Sequence, residues 1–265
     1  MSTTKKRRLD SAIVAIHERY GPQAVHKGAT PRPGAAIPHI ATGFAALDAM
    51  TGCQGLPLGA LTLLSGRTTS GKFTVACKFL ASAQRSPHGA VAYNVALFDL
   101  NRTADPDYLA RCGVDLDALL VVRPTLQPRA VDLLGDLVRQ HQLRAMVVDS
   151  LPDWLANRTV AQRLYAVLGQ LRTHLRAAQC ALLLLDDPSP PWRRWFYLDQ
   201  SGRVRWHAAL HIEMRREQWL TENGTLKGYR AQARLLKSRW AATAGIPGAP
   251  VDIRYNGTVQ AGATW

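Results

Sequence analysis

Residues 60–80, ALTLLSGRTTSGKFTVACKFL, constrain the fold more than any other stretch of this chain. Leu61 to Leu64 form an apolar run that reads as a buried strand. A glycine-bounded loop follows, Gly66-Arg67-Thr68-Thr69-Ser70-Gly71-Lys72. Then come apolar residues at helical spacing: Phe73, Val75, Ala76, Phe79 and Leu80. Strand, glycine loop, lysine and helix in this order make a phosphate-binding P-loop. Successive backbone N–H groups in such a loop form an anion nest, and the helix N-terminus adds positive potential. Glycines allow backbone geometry that a Cβ would obstruct. Lys72 would reach the outer phosphates. The pattern wants Ser or Thr directly after the lysine, and here that residue is Phe73, followed by Thr74. The chain is therefore expected to keep a phosphate cradle and to lack the usual magnesium hydroxyl. The competing reading is an ordinary glycine turn before a helix, and the strand and helix context counts against it.

Around this unit, apolar strands and amphipathic helices alternate. Leu9–Tyr20 has helical periodicity and stops at Gly21-Pro22. The basic head Lys5-Lys6-Arg7-Arg8 precedes it, and Lys27–Pro38 reads as a linker. Strands are expected at Val91–Leu100, Leu119–Arg123, Arg144–Asp149 and Cys180–Leu185. Helices are expected at Phe44–Met50, Pro106–Arg111, Pro128–His141 and Thr159–Ala178, the third with Val131, Leu134, Leu137 and Val138 on one face. Alternating β and α units with buried strands imply a mainly parallel α/β sheet flanked by helices. Beyond Leu185 the texture changes to strands, turns and arginines, read as an antiparallel extension. Residues 1–38 are taken as a basic tail, a helix and a linker, and residues 39–265 as one core domain.

Formal net charge is +14 over 265 residues, an electrostatic footprint that suits a polyanion. No apolar run approaches a membrane span, and the basic N-terminus lacks a hydrophobic signal core, so the expectation is a cytoplasmic protein without a membrane partner. Cys53, Cys77, Cys112 and Cys180 are far apart, and Cys77 and Cys180 sit in apolar surroundings as inert core thiols. His207 and His211 are four residues apart in a segment that alternates like a strand, which argues against a metal pair; no metal ligand set is assigned.

Ala145-Met-Val-Val-Asp149-Ser150 is the second chemical element. An apolar strand ending in Asp puts a carboxylate at the carboxyl edge of the sheet, where open α/β sheets bind ligands. Beside a P-loop, such an Asp orients magnesium or its water.

Taken in order, LDSAIVAIHERYGPQAV, TGFAALDAMTGCQGLPLGALTLLSGRTTSGK, FDLNRTADPDYLARCGVDLDALLVVRP, VVDSL and LHIEMRREQWLTENGTLKGYRAQARLLKSRW resemble the bacterial RecA recombinase family, from about Leu9 to Val259. The resemblance implies a RecA-like core that holds ATP along Gly66, Arg67, Thr68, Thr69, Ser70, Gly71, Lys72, Phe73 and Thr74. Asp105 and Tyr108 match the family's adenine contacts. Lys237 and Arg239 match the basic pair that reaches a neighbouring subunit's nucleotide in a filament. The helix near Ile13–Tyr20 matches the segment that docks on the next protomer. A separate C-terminal domain is expected to be missing. The DNA loop after Ser150 reads as shortened, and the one after Asp187 as rewritten.

The departures bear on catalysis. The family's water-activating glutamate falls at Asn101, and an amide cannot serve as a general base, although it can orient a water. Phe73 removes the metal-binding hydroxyl and leaves magnesium binding open. The family's signalling glutamine falls at Asp186 or Asp187, where a carboxylate would repel a γ-phosphate. Nucleotide binding with weak or no turnover, at Asn101 and Asp149, is the expectation, and the alternative is no nucleotide binding at all.

Between Trp192 and Trp240 basic residues far outnumber acidic ones. Trp192, Arg193, Arg194, Trp195 and Phe196, with Arg203 and Arg205 further on, are the candidate DNA contacts. Guanidinium groups take phosphates and rings stack on bases, which suits single strands. The alternative is that Trp195 and Phe196 pack in the core. The leading expectation is a non-catalytic RecA-like DNA-binding protein of repair or damage tolerance, similar to the ImuA-type relatives that assist translesion polymerases. The alternatives are an active DNA-dependent ATPase that carries out strand exchange, and a regulator of the main recombinase filament.

Overall fold

A computed structural model describes residues 3–21, 25, 36–85, 94–125, 127–140, 143–187, 201–243, 245–255 and 259–260. The chain divides into two compact units, Met1–Ala36 and Ile37–Trp265. The first carries helix α1, Thr3–Tyr20. It begins before the expected Leu9 and takes in the basic head, because Lys and Arg are good helix formers. Gly21, at φ +88°, ends the helix and its N–H donates to His17 O at 2.9 Å.

In the second unit the elements run β1 (His39–Ile40), α2 (Ala45–Met50), β2 (Leu56–Pro57), β3 (Leu61–Gly66), α3 (Lys72–Arg85), β4 (Val95–Asp99), α4 (Pro106–Arg111), β5 (Leu119–Val122) and α5 (Gln127–Arg139). They continue with β6 (Ala145–Asp149), α6 (Leu151–Leu155), α7 (Arg158–Ala178), β7 (Ala181–Asp186), α8 (Ser201–His207), β8 (Leu210–Glu222), β9 (Thr225–Ser238), β10 (Ala249–Arg254) and β11 (Val259–Gln260). The main sheet has the order β11-β10-β9-β8-β3-β7-β6-β4-β5. From β8 to β5 every pairing is parallel, and β8, β9, β10 and β11 pair antiparallel. The architecture is α/β, with a mainly parallel sheet, antiparallel C-terminal strands and an N-terminal helix.

Side-chain alternation explains why the central strands read as unbroken apolar runs. Ala145, Val147, Leu183 and Leu185 face a core shared with Val75, Phe79 and Leu80 of α3. Met146, Val148, Leu182 and Leu184 face the opposite core, with Val131 and Leu134 of α5 and Leu164 and Leu168 of α7. Both faces are covered, so both parities are apolar. Trp154 of α6 is fully buried against Phe98, ring centroids 6.1 Å apart.

Two short helices depart from the expectation. Leu151–Leu155 is helical, with Ser150 and Asp153 forming a capping box. His207, expected in a strand, ends α8, whose Val204 is buried under α7. His211 does lie in β8, and its Nε2 is 2.8 Å from Ser65 Oγ in the sheet interior. Burial pushes the Cys77 thiol well up, and the Cys180 thiol to about 12.

Candidate nucleotide site

The parallel register carries the carboxyl ends of β3, β4, β6 and β7 to one edge. Ser65 is level with Asp186, and Asp99 with Asp149. The loop from Gly66 to Lys72 leaves that edge and enters α3, as the sequence requires. Ser70 N donates to Arg67 O at 3.0 Å, closing a turn, and Thr69 takes a left-handed φ of +64°. A Cβ on Gly66 would stand 2.4 Å from Ser70 Oγ and 2.7 Å from Met214 O. Gly71, at φ +91°, would place a Cβ 2.1 Å from Ile253 Cδ1. Both glycines are therefore demanded by close approach.

Ser70 is 2% exposed and its Oγ has no hydrogen-bond partner among the described residues. Native interiors rarely leave such a hydroxyl unpaired without a ligand or water to take it. Arg67 and Thr68 are exposed at the rim. These features fit a bound phosphate.

Lys72 does not reach into the loop alone. Its Nζ donates to Gly66 O at 3.1 Å and forms an ion pair with Asp187 Oδ1 at 2.5 Å. The lysine side chain is 11% exposed and the aspartate 43%. Asp186, the other candidate for the signalling position, is buried at the end of β7.

Phe73 is turned to the neighbouring helix. Its ring stacks on Tyr108, centroids 6.1 Å apart at 22°. Thr74 Oγ1 is hydrogen-bonded to the Tyr108 hydroxyl. Burial pushes the Tyr108 phenol upward, and that bond to Thr74 opposes the shift. Phe73 carries no hydroxyl, and that of Thr74 is engaged with Tyr108. Asp105 caps α4, Oδ1 accepting from Asp107 N at 2.9 Å, and brings Tyr108 beside the loop.

Around Asp149 the carboxylates divide their work. Burial pushes its carboxyl up to about 6; Lys72 opposes this, while Asp99, Asp153 and Asp187 reinforce it. Asp99 is structural, accepting from Thr103 N at 2.9 Å and from Arg123 Nε at 2.8 Å. Asn101 donates its amide to Asp153 Oδ2 at 2.7 Å, and the same oxygen takes the Ser150 hydroxyl at 2.7 Å. The residue at the glutamate position thus faces a carboxylate that the linear sequence did not connect with it.

Lys237 and Arg239 lie elsewhere. Strand β9 is antiparallel to β8, so Lys237 pairs with His211 and Ser238 with Leu210, which is itself level with Thr62 near the start of β3. They occupy the sheet edge opposite the glycine loop. Lys237 Nζ donates to Arg205 O at 2.9 Å and Trp206 O at 3.0 Å, capping α8. Burial, then the charges of Arg172 and Arg176, lowers Arg239 from its usual value. Arg203 lies over the Tyr165 ring at 5.2 Å, and Arg205 is half-buried. Trp192, Arg193, Arg194, Trp195 and Phe196 fall outside the described residues.

The sequence offers Arg216 only as one of the basic residues between Trp192 and Trp240, with nothing to link it to the glycine loop. Arg216 lies on β8 beyond the end of β3, and its Nη1 is 3.4 Å from Thr69 Oγ1. Among the described residues no His, Cys, Asp and Glu group is arranged to hold a metal ion.

Sheet order, glycine loop and strand-end acid define a P-loop protein of the α/β class. The RecA N-terminal domain family model matches residues 7–167. Curated relatives named Protein RecA align over nearly the whole chain. That of Arthrobacter sp. (strain FB24) is 29% identical, over 95% of this chain and 74% of its own. Those of Pseudarthrobacter chlorophenolicus and Kineococcus radiotolerans are 30% and 38% identical, over 93% and 89% of this chain and 72% and 70% of theirs. The chain belongs to the RecA family, and is a RecA-like protein of DNA recombination and repair.

Proposed function

We propose that this chain is a DNA-binding RecA-like protein in which ATP acts mainly as a structural ligand, with slow turnover or none. One observation carries the reading: the cradle keeps its glycines, its lysine and a Ser70 hydroxyl without a partner among the described residues, while Phe73 is spent on Tyr108 and Asn101 on Asp153. The phosphate-holding half of the site keeps its glycines and its lysine, the lysine paired with Asp187, and the bond-breaking half is depleted. Asp149, Asp105 and Tyr108 retain supporting positions around it.

Three groups extend the proposal. Single-stranded DNA binds through the segment of Trp192, Arg193, Arg194, Trp195 and Phe196, with Arg203 and Arg205 adjoining. Lys237 and Arg239, on the edge away from this chain's own loop, serve a nucleotide held by a second copy, and α1 docks on the next protomer of a filament. A recombinase or translesion polymerase is the kind of protein partner such a scaffold would assist. No helix among the described residues is long and apolar enough to cross a membrane.

The test is ATP turnover with and without single-stranded DNA, beside a titration with a fluorescent ATP analogue. Nucleotide binding with little turnover supports the scaffold. DNA-stimulated turnover overturns it and favours a working recombinase, for which the retained Lys72 and Asp149 are the supporting observation.

A further inference from the structure

The hairpin of β8 and β9 aims one cation at the glycine loop by a route the sequence hides. Strand β8 runs parallel to β3 only as far as Gly66, which pairs with Met214. Beyond that point Arg215 to Glu222 pair with β9 alone, so the hairpin projects past the carboxyl edge, alongside the loop.

In a regular strand Arg216 and Trp219 would point to opposite faces, being an odd number of residues apart. The ladder is interrupted between Arg216 and Gln218. Arg216 pairs with Ala231, Gln218 with Arg230 and Trp219 with Tyr229. Glu217 is the extra residue of a β-bulge, and a bulge re-aims side chains by shifting the alternation. Arg216 and Trp219 consequently share the face that carries Ala231 and Tyr229.

The guanidinium carbon of Arg216 lies 4.4 Å from the Trp219 ring centroid. Trp219 in turn meets Tyr229 edge to face at 6.1 Å. Stacking leaves the guanidinium edge free to donate. That edge is directed at the loop, with Nη1 3.4 Å from Thr69 Oγ1, next to the buried hydroxyl of Ser70. The neighbouring Arg215 is paired with Glu213 at 3.0 Å, whereas Arg216 has no carboxylate partner among the described residues.

We infer that Arg216 is a phosphate-contacting arginine acting within its own chain, held by Trp219 over the outer phosphates of a nucleotide seated in the Gly66–Lys72 loop. The inference rests on the nucleotide-binding reading proposed above. Arg216 adds positive charge at a site where Phe73 has removed a metal ligand and Asp187 engages the lysine. Trp219 is a positioning residue, since it acts through the arginine.

The experiment compares the full chain with its Arg216→Ala, Trp219→Ala and Trp219→Phe variants, using fluorescent ATP, ADP and AMP analogues. Arg216→Ala should weaken the ATP analogue about tenfold and the AMP analogue less than about twofold. Trp219→Ala should move in the same direction by a smaller factor, and Trp219→Phe should recover most of it. Equal losses for all three nucleotides, or no loss, overturn the inference, with circular dichroism reporting whether each variant is folded. Unchanged nucleotide affinity with weakened single-stranded DNA binding also overturns it, assigning Arg216 to nucleic acid. If the unmodified chain binds no nucleotide, the underlying reading fails together with the inference.

Discussion

Lys72 Nζ and Asp187 Oδ1 are 2.5 Å apart, so the lysine of the phosphate loop is already bound to the carboxylate of the residue that follows β7. A phosphate entering the loop must displace this partner, and the aspartate that is released stays close enough to repel it. Asp187→Asn removes both effects. The variant should bind the ATP analogue several-fold more tightly, as a charge-assisted bond is lost to the free state alone. Equal affinity would show that Asp187 swings clear at no cost.

Asn101 and Asp153 set the conditions for restoring turnover. Phe73→Thr with Asn101→Glu replaces both missing groups, but the new glutamate would face Asp153 where an amide now donates at 2.7 Å. Two adjacent carboxylates share a proton and raise one another's pKa. The pair of substitutions is therefore expected to raise ATP turnover modestly, and addition of Asp153→Asn to raise it further. A folded triple variant with no gain in steady-state hydrolysis would mean that losses other than these disable the site.

Asp149 links pH to stability. Its carboxyl is pushed up to about 6 in the folded chain, chiefly by burial, against about 4 when unfolded. Between these values the folded state binds more protons than the unfolded state, so stability falls as pH rises from about 4 to about 6. Asp149→Asn should flatten this part of the Tm profile, gaining on the parent by on the order of 2 kcal/mol at neutral pH. Asp48, also raised to about 6 by burial, preserves a residual slope in the variant.

Gly71→Ala tests the loop itself. The added methyl meets Ile253 Cδ1 at 2.1 Å and the residue must hold φ +91°. A loss of roughly 2–4 kcal/mol is expected in urea unfolding, from overpacking and a strained backbone together. Ile253→Val removes the clashing methyl and should return part of that loss, leaving the backbone component.

Arg193→Ala with Arg194→Ala addresses the proposed nucleic-acid surface. Affinity for single-stranded DNA should fall and its salt dependence should flatten by one to two phosphate contacts, about 0.7 in logarithmic slope for each. Unchanged binding across a salt series would move the DNA surface to the exposed arginines of the β8–β9 hairpin.

The parallel strands were legible in the chain because Ala145–Val148 and Ala181–Leu185 are apolar at every position and Leu61–Leu64 is broken only by the buried Thr62, a pattern that suits a sheet covered on both faces. The glycine loop was equally plain, since its spacing is local. Helix α8 was not: Val204 is its buried anchor, and the surrounding arginines and tryptophan carry no helical period. The pairings that change the chemistry join distant residues, Lys72 with Asp187 and Asn101 with Asp153. No local pattern encodes such contacts. The bulge at Glu217 is invisible for another reason, because it shows only against the partner strand.

The placement of Lys237 and Arg239 on the sheet edge away from the glycine loop has a geometric consequence. On the proposed reading, in which these two cations serve a second copy's nucleotide, a molecule with its cradle at one pole and the cations at the other cannot complete that contact within itself. Copies joined through these poles meet by unlike surfaces, and unless the rotation between them closes a ring, each addition exposes the same pair of poles again. Such an array has two chemically different ends and no internal stop. A copy lacking the cations at one pole would still be accepted through the other, and would end growth on that side.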